Sequence, residues 1–229
     1  MIEDSAHGLF GKYKGQCLGS FGALATQSFH ETKNITCGEG GALLINDEKY
    51  LERAEILREK GTNRSQFFRG EVDKYTWVDL GSSYLPSDIL AAFLFAQFES
   101  AETIQNKRKK MWEFYAEALT DWAEQEGIGL PRVPPHCEQS YHMFYLLCPT
   151  LRDRTLLIKG LQKRGIQSVF HFLPLHLSKM GENWHYKHGD CPVTEDMSDR
   201  LLRLPFYNDL SLDDQQRVCE TIFEVYKEF

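Results

Sequence analysis

Long apolar runs are missing from this chain of 229 residues. The longest, Ile89 to Ala96, is less than half of the roughly 20 residues that a membrane-spanning helix requires. Met1-Ile2-Glu3-Asp4 has neither the basic start nor the apolar stretch of a signal peptide. Positive charge is in deficit: 26 Lys and Arg face 33 Asp and Glu, for a formal charge of −7. Nucleic acid and anionic membranes both select basic surfaces, so neither is expected as a partner. Paired cysteines are missing too. Cys17, Cys37, Cys137, Cys148, Cys191 and Cys219 stand singly, and a chain of this size builds a core without disulfides. They read as free thiols in a reducing cytoplasm. There is no internal repeat and no low-complexity segment. What is present is 42% hydrophobic and 26% charged residues, enough for a real core and incompatible with wholesale disorder. The length fits one large domain or two small ones.

Residues 1–46 are rich in glycine and small polar residues, with strand-like stretches at Gly22–Phe29 and Gly41–Ile45. Asn46 or Asp47 caps a helix to about Lys60, with Leu51, Ala54 and Leu57 on one face and Gly61 as the stop. Thr62 to Tyr84 reads as a long loop, and loops of that length tend to be functional. Pro86-Ser87-Asp88 opens a helical stretch to about Glu126, as two helices or one bent one. Ile89–Phe98 within it is apolar all round, which predicts burial on more than one side. Met111, Tyr115, Ala118 and Trp122 then mark an amphipathic half. After Gly127–Pro135 come a strand (Met143–Cys148), a helix (Thr155–Arg164), a strand (Gln167–Phe172), a His-rich loop, and helices near Glu195–Arg203 and Leu212–Lys227. Such alternation implies a small α/β unit.

Chemistry concentrates in Ser28-Phe29-His30-Glu31-Thr32-Lys33-Asn34-Ile35-Thr36-Cys37-Gly38-Glu39-Gly40-Gly41. A lysine follows a strand, flanked by hydroxyls, with three glycines downstream. On pattern alone it reads as a solvated charge or as a catalytic amine. Hydroxyls and backbone amides freed by small residues suit a phosphate, and a lysine beside a phosphate-bearing aldehyde can form a Schiff base. Asp4 lies 29 positions earlier, at the inferred end of a strand. It reads as a loop or capping residue, or as a ligand group, since open α/β sheets bind ligands beyond their strand ends. A pyridoxal ring nitrogen requires such a carboxylate to stay protonated and accept carbanion electrons. His185-x-x-His188-x-x-Cys191, with His171 and His176, raises a zinc site. No Cys-x-x-Cys or His-Glu-x-x-His accompanies it, so these are read as loop histidines, or for His171 a substrate-pocket wall, with no metal expected.

The segments Glu3-Asp4-Ser5-Ala6-His7, Ser28 to Asn34 and Gly38-Glu39-Gly40-Gly41 resemble the aspartate and lysine motifs of the pyridoxal-phosphate sugar aminotransferases of aspartate-aminotransferase fold type I. The likeness continues through Gly81-Ser82-Ser83-Tyr84 with Ser87-Asp88, His171-Phe172-Leu173-Pro174-Leu175-His176, and Arg203-Leu204-Pro205 with Leu210-Ser211. More narrowly, Arg58 to Gly70 with Lys74-Tyr75-Thr76-Trp77 resembles the dTDP-4-amino-4,6-dideoxygalactose transaminases of bacterial surface-glycan assembly, enterobacterial common antigen among them.

The resemblance implies an α/β chain. Residues 1–126 would be the C-terminal part of a large cofactor-binding domain with connecting helices, and residues 127–229 a small C-terminal α/β domain. It implies pyridoxal 5'-phosphate, with Lys33 as the Schiff-base lysine and proton shuttle and Asp4 against the ring nitrogen. His7 falls at the phenolic oxygen, Ser28 at the phosphate, and Ser83 where many members reach the phosphate across a homodimer interface. Leu85 replaces a frequent Arg, as in the narrower group. The implied reaction moves an amino group from L-glutamate to the 4-keto carbon of a dTDP-4-keto-6-deoxy sugar in the cytoplasm. Lys33 must be neutral to act as a base, so desolvation and nearby positive charge are expected to lower its pKa. Histidine in place of the lysine marks the related dehydratases; Lys33 is present.

The same resemblance places a further N-terminal region before the aspartate motif, carrying a phosphate loop, a ring-stacking aromatic and much of the sheet. Met1 falls inside the aspartate strand, so an N-terminally truncated chain, an incomplete pocket and an unpaired sheet edge are expected. A non-catalytic fragment or one half of a split enzyme stays open as the alternative.

Overall fold

The computed structural model describes residues 1–229. The chain is α/β and divides into two compact units, Met1–Ile104 with Pro134–Ser140, and Gln105–Val133 with Tyr141–Phe229. The division falls near the start of a long helix, and a short downstream segment returns to the first unit.

In the first unit, β1 (Ile2–Asp4) pairs in parallel with β4 (Leu24–Ser28), and β4 pairs antiparallel with β5 (Gly41–Ile45). The sheet order is β1-β4-β5, so β1 is hydrogen-bonded on one side only. The residues after β1 turn as the small-residue run Ser5–Gly8 predicts. Between these strands, β2 (Lys12–Tyr13) sits between β3 (Gln16–Cys17) and the distant β6 (Cys137–Glu138). The Glu3 carboxylate gathers the intervening loop by accepting from Gly19, Phe21 and Gly22 amides at 2.6–2.8 Å.

A short 3-10 turn, Glu48–Tyr50, leads into α1 (Leu51–Arg58), and Gly61 then takes φ +73° as the chain turns away. The predicted loop contains one short helix, α2 (Arg64–Phe68). Ser87 caps α3 (Asp88–Glu99) by accepting from Leu90 N, and α4 (Ala101–Glu126) follows after Ser100, so the predicted stretch is two helices. Leu90 and Leu94 pack on a small core of Phe29, Ile35, Cys37 and Ile104.

The expected burial of α3 on several sides is not met: Ile89 is 81% and Phe95 66% exposed. Within this chain only one stripe of the helix finds a partner. Apolarity on all faces states what would be favourable to bury, not what the chain itself covers.

The second unit is a three-stranded antiparallel sheet ordered β7-β9-β8, from β7 (Tyr145–Leu147), β8 (Val169–Phe170) and β9 (Leu201–Arg203). Its helices are α5 (Leu151–Lys163), the short α6 (Lys179–Glu182), α7 (Pro192–Arg200) and α8 (Leu212–Tyr226). Thr150 and Ser211 cap α5 and α8 with their hydroxyls, so α5 starts four residues before the predicted Thr155. The helix expected at Glu195–Arg203 is α7 followed by strand β9, because Leu201–Arg203 pairs with two neighbours. Met111, Tyr115 and Leu119 of α4 join Phe144, Leu146, Leu157, Leu202 and Ile222 in the main core. Arg108 is buried with them, donating to the Tyr141 and His142 carbonyls and to Asn208 Oδ1. Burial holds its guanidinium below the usual range, at about 10. The six cysteines are all free, and no helix is long and apolar enough to cross a membrane.

Candidate active site

The register of β1 on β4 sets Asp4 beside Thr26. Side chains alternate along a strand, so Ala25 and Gln27 turn inward while Thr26 and Ser28 share the open face with Asp4. Asp4 Oδ1 accepts from Ala6 N at 3.1 Å, which closes the turn after the strand. Ser5 N donates to Thr26 O at 3.0 Å and extends the parallel ladder by one rung. His7, exposed, lies at the far side of this turn.

Ser28 leads into the lysine loop. Lys33 N donates to His30 O at 2.9 Å, while Cys37 N returns to Phe29 O at 3.0 Å. Phe29, Ile35 and Cys37 are buried, so both ends of the loop are anchored in the core and Lys33 is carried on its outer part. Lys33 is half-buried. Burial pushes its ammonium below the ordinary lysine range, and the charge of Asp4 opposes that shift. Desolvation is thus present as expected. The expected positive neighbour is not among the causes; the charge that acts on Lys33 is the Asp4 carboxylate, with the opposite sign.

Within the first unit, Lys33 lies in the field of Asp4, Ser28 shares the strand face of Asp4, and His7 sits in the turn that follows it. Ser83 does not join them: it is exposed, its backbone bridges to Glu59, and no hydrogen bond or ion pair links it to that group. Three contributors are not among the expected site residues. Thr26 follows from the strand period once β4 is fixed. Asn34 and Ser140 emerge only in space, Asn34 Nδ2 donating to Ser140 O at 2.5 Å and Ser140 Oγ to His7 O at 2.6 Å.

Two of the zinc-like histidines meet a carboxylate. Glu195, on α7, receives His176 Nε2 at 2.8 Å and His188 Nε2 at 3.1 Å, together with the Gly189 and Cys191 amides. No group of three or more His, Cys, Asp and Glu side chains is placed to hold a metal ion. His171 keeps a buried Nδ1 without a hydrogen-bond partner. Burial, aided by Arg203, holds its imidazolium below the ordinary range.

A loop lysine in the field of an aspartate, with hydroxyls on the aspartate's sheet face, makes up the donor set, and comparison with known proteins decides its lineage. The family profile of the DegT/DnrJ/EryC1/StrS aminotransferases matches residues 1–223. The chain belongs to that family.

Among curated members and relatives, an uncharacterized protein of Methanocaldococcus jannaschii is 32% identical over the whole chain, which covers 60% of that protein. The GDP-perosamine synthase of Escherichia coli O157:H7 is 29% identical, with 58% of its length covered. The chain thus spans about three fifths of the length of the curated relatives it matches. Among solved structures, a proposed sugar aminotransferase of Streptococcus pneumoniae in its PMP form superposes with a TM-score of 0.89 at 26% identity, covering 99% of this chain and 59% of that one. The same protein is known in a PLP form. DesV of S. venezuelae, solved with a ketimine intermediate, gives a TM-score of 0.85 at 27% identity, covering 99% of this chain and 57% of that one. The fold is therefore that of a fold type I aminotransferase fragment, and the cofactor of the family is pyridoxal phosphate.

The residues present suit that cofactor. The site offers a primary amine made easier to neutralise by burial, a carboxylate fixed at a strand end, and hydroxyls of Thr26 and Ser28 on the same face.

Proposed function

We propose that this chain carries the lysine side of the active site of a nucleotide-sugar aminotransferase, acting on dTDP-4-keto-6-deoxy-D-glucose with L-glutamate as donor. The product is dTDP-4-amino-4,6-dideoxy-D-galactose. The observation that carries the reading is Lys33, half-buried, its pKa lowered by burial, in the field of Asp4.

When bound, pyridoxal phosphate supplies the aldehyde that takes up an amino group and a ring that accepts carbanion electrons. Asp4 would keep a proton on the ring nitrogen by its charge, Ser28 would donate to the phosphate, and His7 would donate to the phenolic oxygen. Lys33, neutral, takes a proton from the donor's α-carbon and returns one to the 4-carbon of the sugar, and the face it serves fixes the stereochemistry. Ser83 serves the phosphate of a second copy across a homodimer interface, consistent with its separation from Lys33 here. Residues 1–126 form the cofactor-binding part and residues 127–229 the small domain, working in the cytoplasm on soluble nucleotide sugars.

The test is cofactor capture. Protein mixed with pyridoxal phosphate and reduced with borohydride is digested and its lysines are mapped by mass spectrometry. Adduct concentrated on Lys33 supports the reading; folded protein with adduct spread over surface lysines establishes the alternative, a non-catalytic fragment or split half. Presenting dTDP- and GDP-linked 4-keto sugars side by side tests the substrate. The GDP-perosamine synthase relative makes the GDP sugar the informative competitor, and a preference for it overturns the dTDP assignment.

A further inference from the structure

Residues Pro134–Ser140 belong to the first unit although the chain on both sides of them belongs to the second. They form a strap that is itself well fixed. Its strand β6 pairs with β2, Lys14 N donates to His136 O at 2.7 Å, and Lys12 Nζ meets Glu138 Oε2 at 3.1 Å. The His136 ring adds an edge contact on Tyr13, with centroids 5.2 Å apart. The strap ends at Ser140, which bonds in two directions. Its carbonyl accepts from Asn34 Nδ2 at 2.5 Å, and its hydroxyl donates to the His7 carbonyl at 2.6 Å. Asn34 is the neighbour of Lys33 and is only 5% exposed. His7 closes the turn that starts at Asp4.

We propose that Ser140 is a positioning residue, a latch that holds the Asp4–His7 turn and the Lys33 loop at a fixed separation by bonding to both. The inference rests on the reading of Lys33 and Asp4 given above. At their base the turn and the loop are joined through the β1–β4 ladder, and Ser140 ties them a second time, at His7 and at Asn34. A catalytic constellation tolerates about 0.5 Å of play, and the strap removes that play from outside both segments. The lysine loop is held through a buried amide, so its closure also keeps water from the Lys33 amine.

The experiment uses the full chain. Each lysine's rate of reductive methylation is followed from pH 6 to 11 by peptide mass spectrometry, in the wild type and in Ser140→Ala, Ser140→Thr and Asn34→Ala, with thermal unfolding recorded for each. Ser140→Ala removes the hydroxyl and keeps the carbonyl, whereas Asn34→Ala removes the other bond. In both, the Lys33 profile is expected to move to higher pH as water enters. A shift of half to one unit lowers the neutral fraction at a fixed pH about threefold to tenfold. Ser140→Thr, which keeps a hydroxyl, restores the wild-type profile, and the other lysines do not move. A role confined to stability would lower the unfolding midpoint and leave the Lys33 profile in place, which overturns the latch. Should Ser140→Ala fail to fold, the Asn34→Ala and Ser140→Thr profiles still decide. Wild-type Lys33 titrating like the surface lysines overturns both the latch and the reading beneath it; a low wild-type profile that neither alanine variant moves overturns the latch alone.

Discussion

Glu195 Oε1 lies 2.8 Å from His176 Nε2, and both side chains are buried. The same carboxylate takes His188 Nε2 and the Gly189 and Cys191 amides. Those hydrogen bonds, His176 first, hold Glu195 below the ordinary carboxylate range despite desolvation.

A carboxylate whose folded pKa is depressed contributes stability that is fully present above its unfolded value, about 4.3, and is lost as pH falls through the folded one. Glu195→Gln is therefore expected to lower the unfolding midpoint at pH 7 by a few degrees and to flatten its decline below pH 4. Thermal melts from pH 3 to 8 check this. An unchanged midpoint at pH 7 shows that the clasp contributes nothing.

Asp4 raises the Lys33 pKa while burial lowers it. Asp4→Asn removes the opposing charge and is expected to shift the Lys33 methylation profile to lower pH. Opening the Ser140 latch moves the same profile the other way, so the two variants bracket the wild type. An Asp4→Asn profile displaced upward contradicts the arrangement.

Gly160 stands in the interior of α5, where alanine normally gains about 1 kcal/mol of helix propensity. A Cβ there would press into Val225 Cγ1 on α8, a stiff and buried side chain. Overpacking of this kind costs about 1–3 kcal/mol, so Gly160→Ala should destabilise in urea titration. Val225→Ala should then be less damaging in the Gly160→Ala background than alone, as a double-mutant cycle measures. Additive losses would mean the two helices do not meet through this pair.

Gly61 takes φ +73°, a Cβ on it would collide with the Asp79 carbonyl, and a Cβ on Gly81 would collide with the Gly61 backbone. Gly61→Ala is expected to loosen the whole Thr62–Tyr84 segment and speed its proteolysis, without touching the core of the second unit. Equal protease sensitivity in wild type and variant contradicts this.

Local pattern carried as far as local forces act. β5 runs from Gly41 to Ile45 as its apolar run and flanking glycines indicate, and Ser87 starts α3 where its hydroxyl caps. The two-residue strands β2, β3 and β6 are too short for any period, and β9 is a strand only because β7 and β8 flank it. At the candidate site, Asp4 and Lys33 are legible because a carboxylate and an amine are chemistry-bearing side chains set in recognisable local motifs. Ser140 is not, because its hydroxyl meets the His7 carbonyl and its carbonyl meets the Asn34 side-chain amide, 133 and 106 residues away.

That separation gives the site a history during synthesis. The Asp4 turn and the Lys33 loop leave the ribosome before the strap that joins them exists. At about 5–20 residues per second, the 106 residues from Asn34 to Ser140 occupy roughly 5–20 s. For that interval the nascent lysine loop has its own strands but no latch, and its amine is open to water and to any aldehyde nearby. Closure of the lysine loop against the Asp4 turn therefore waits until Ser140 has been made.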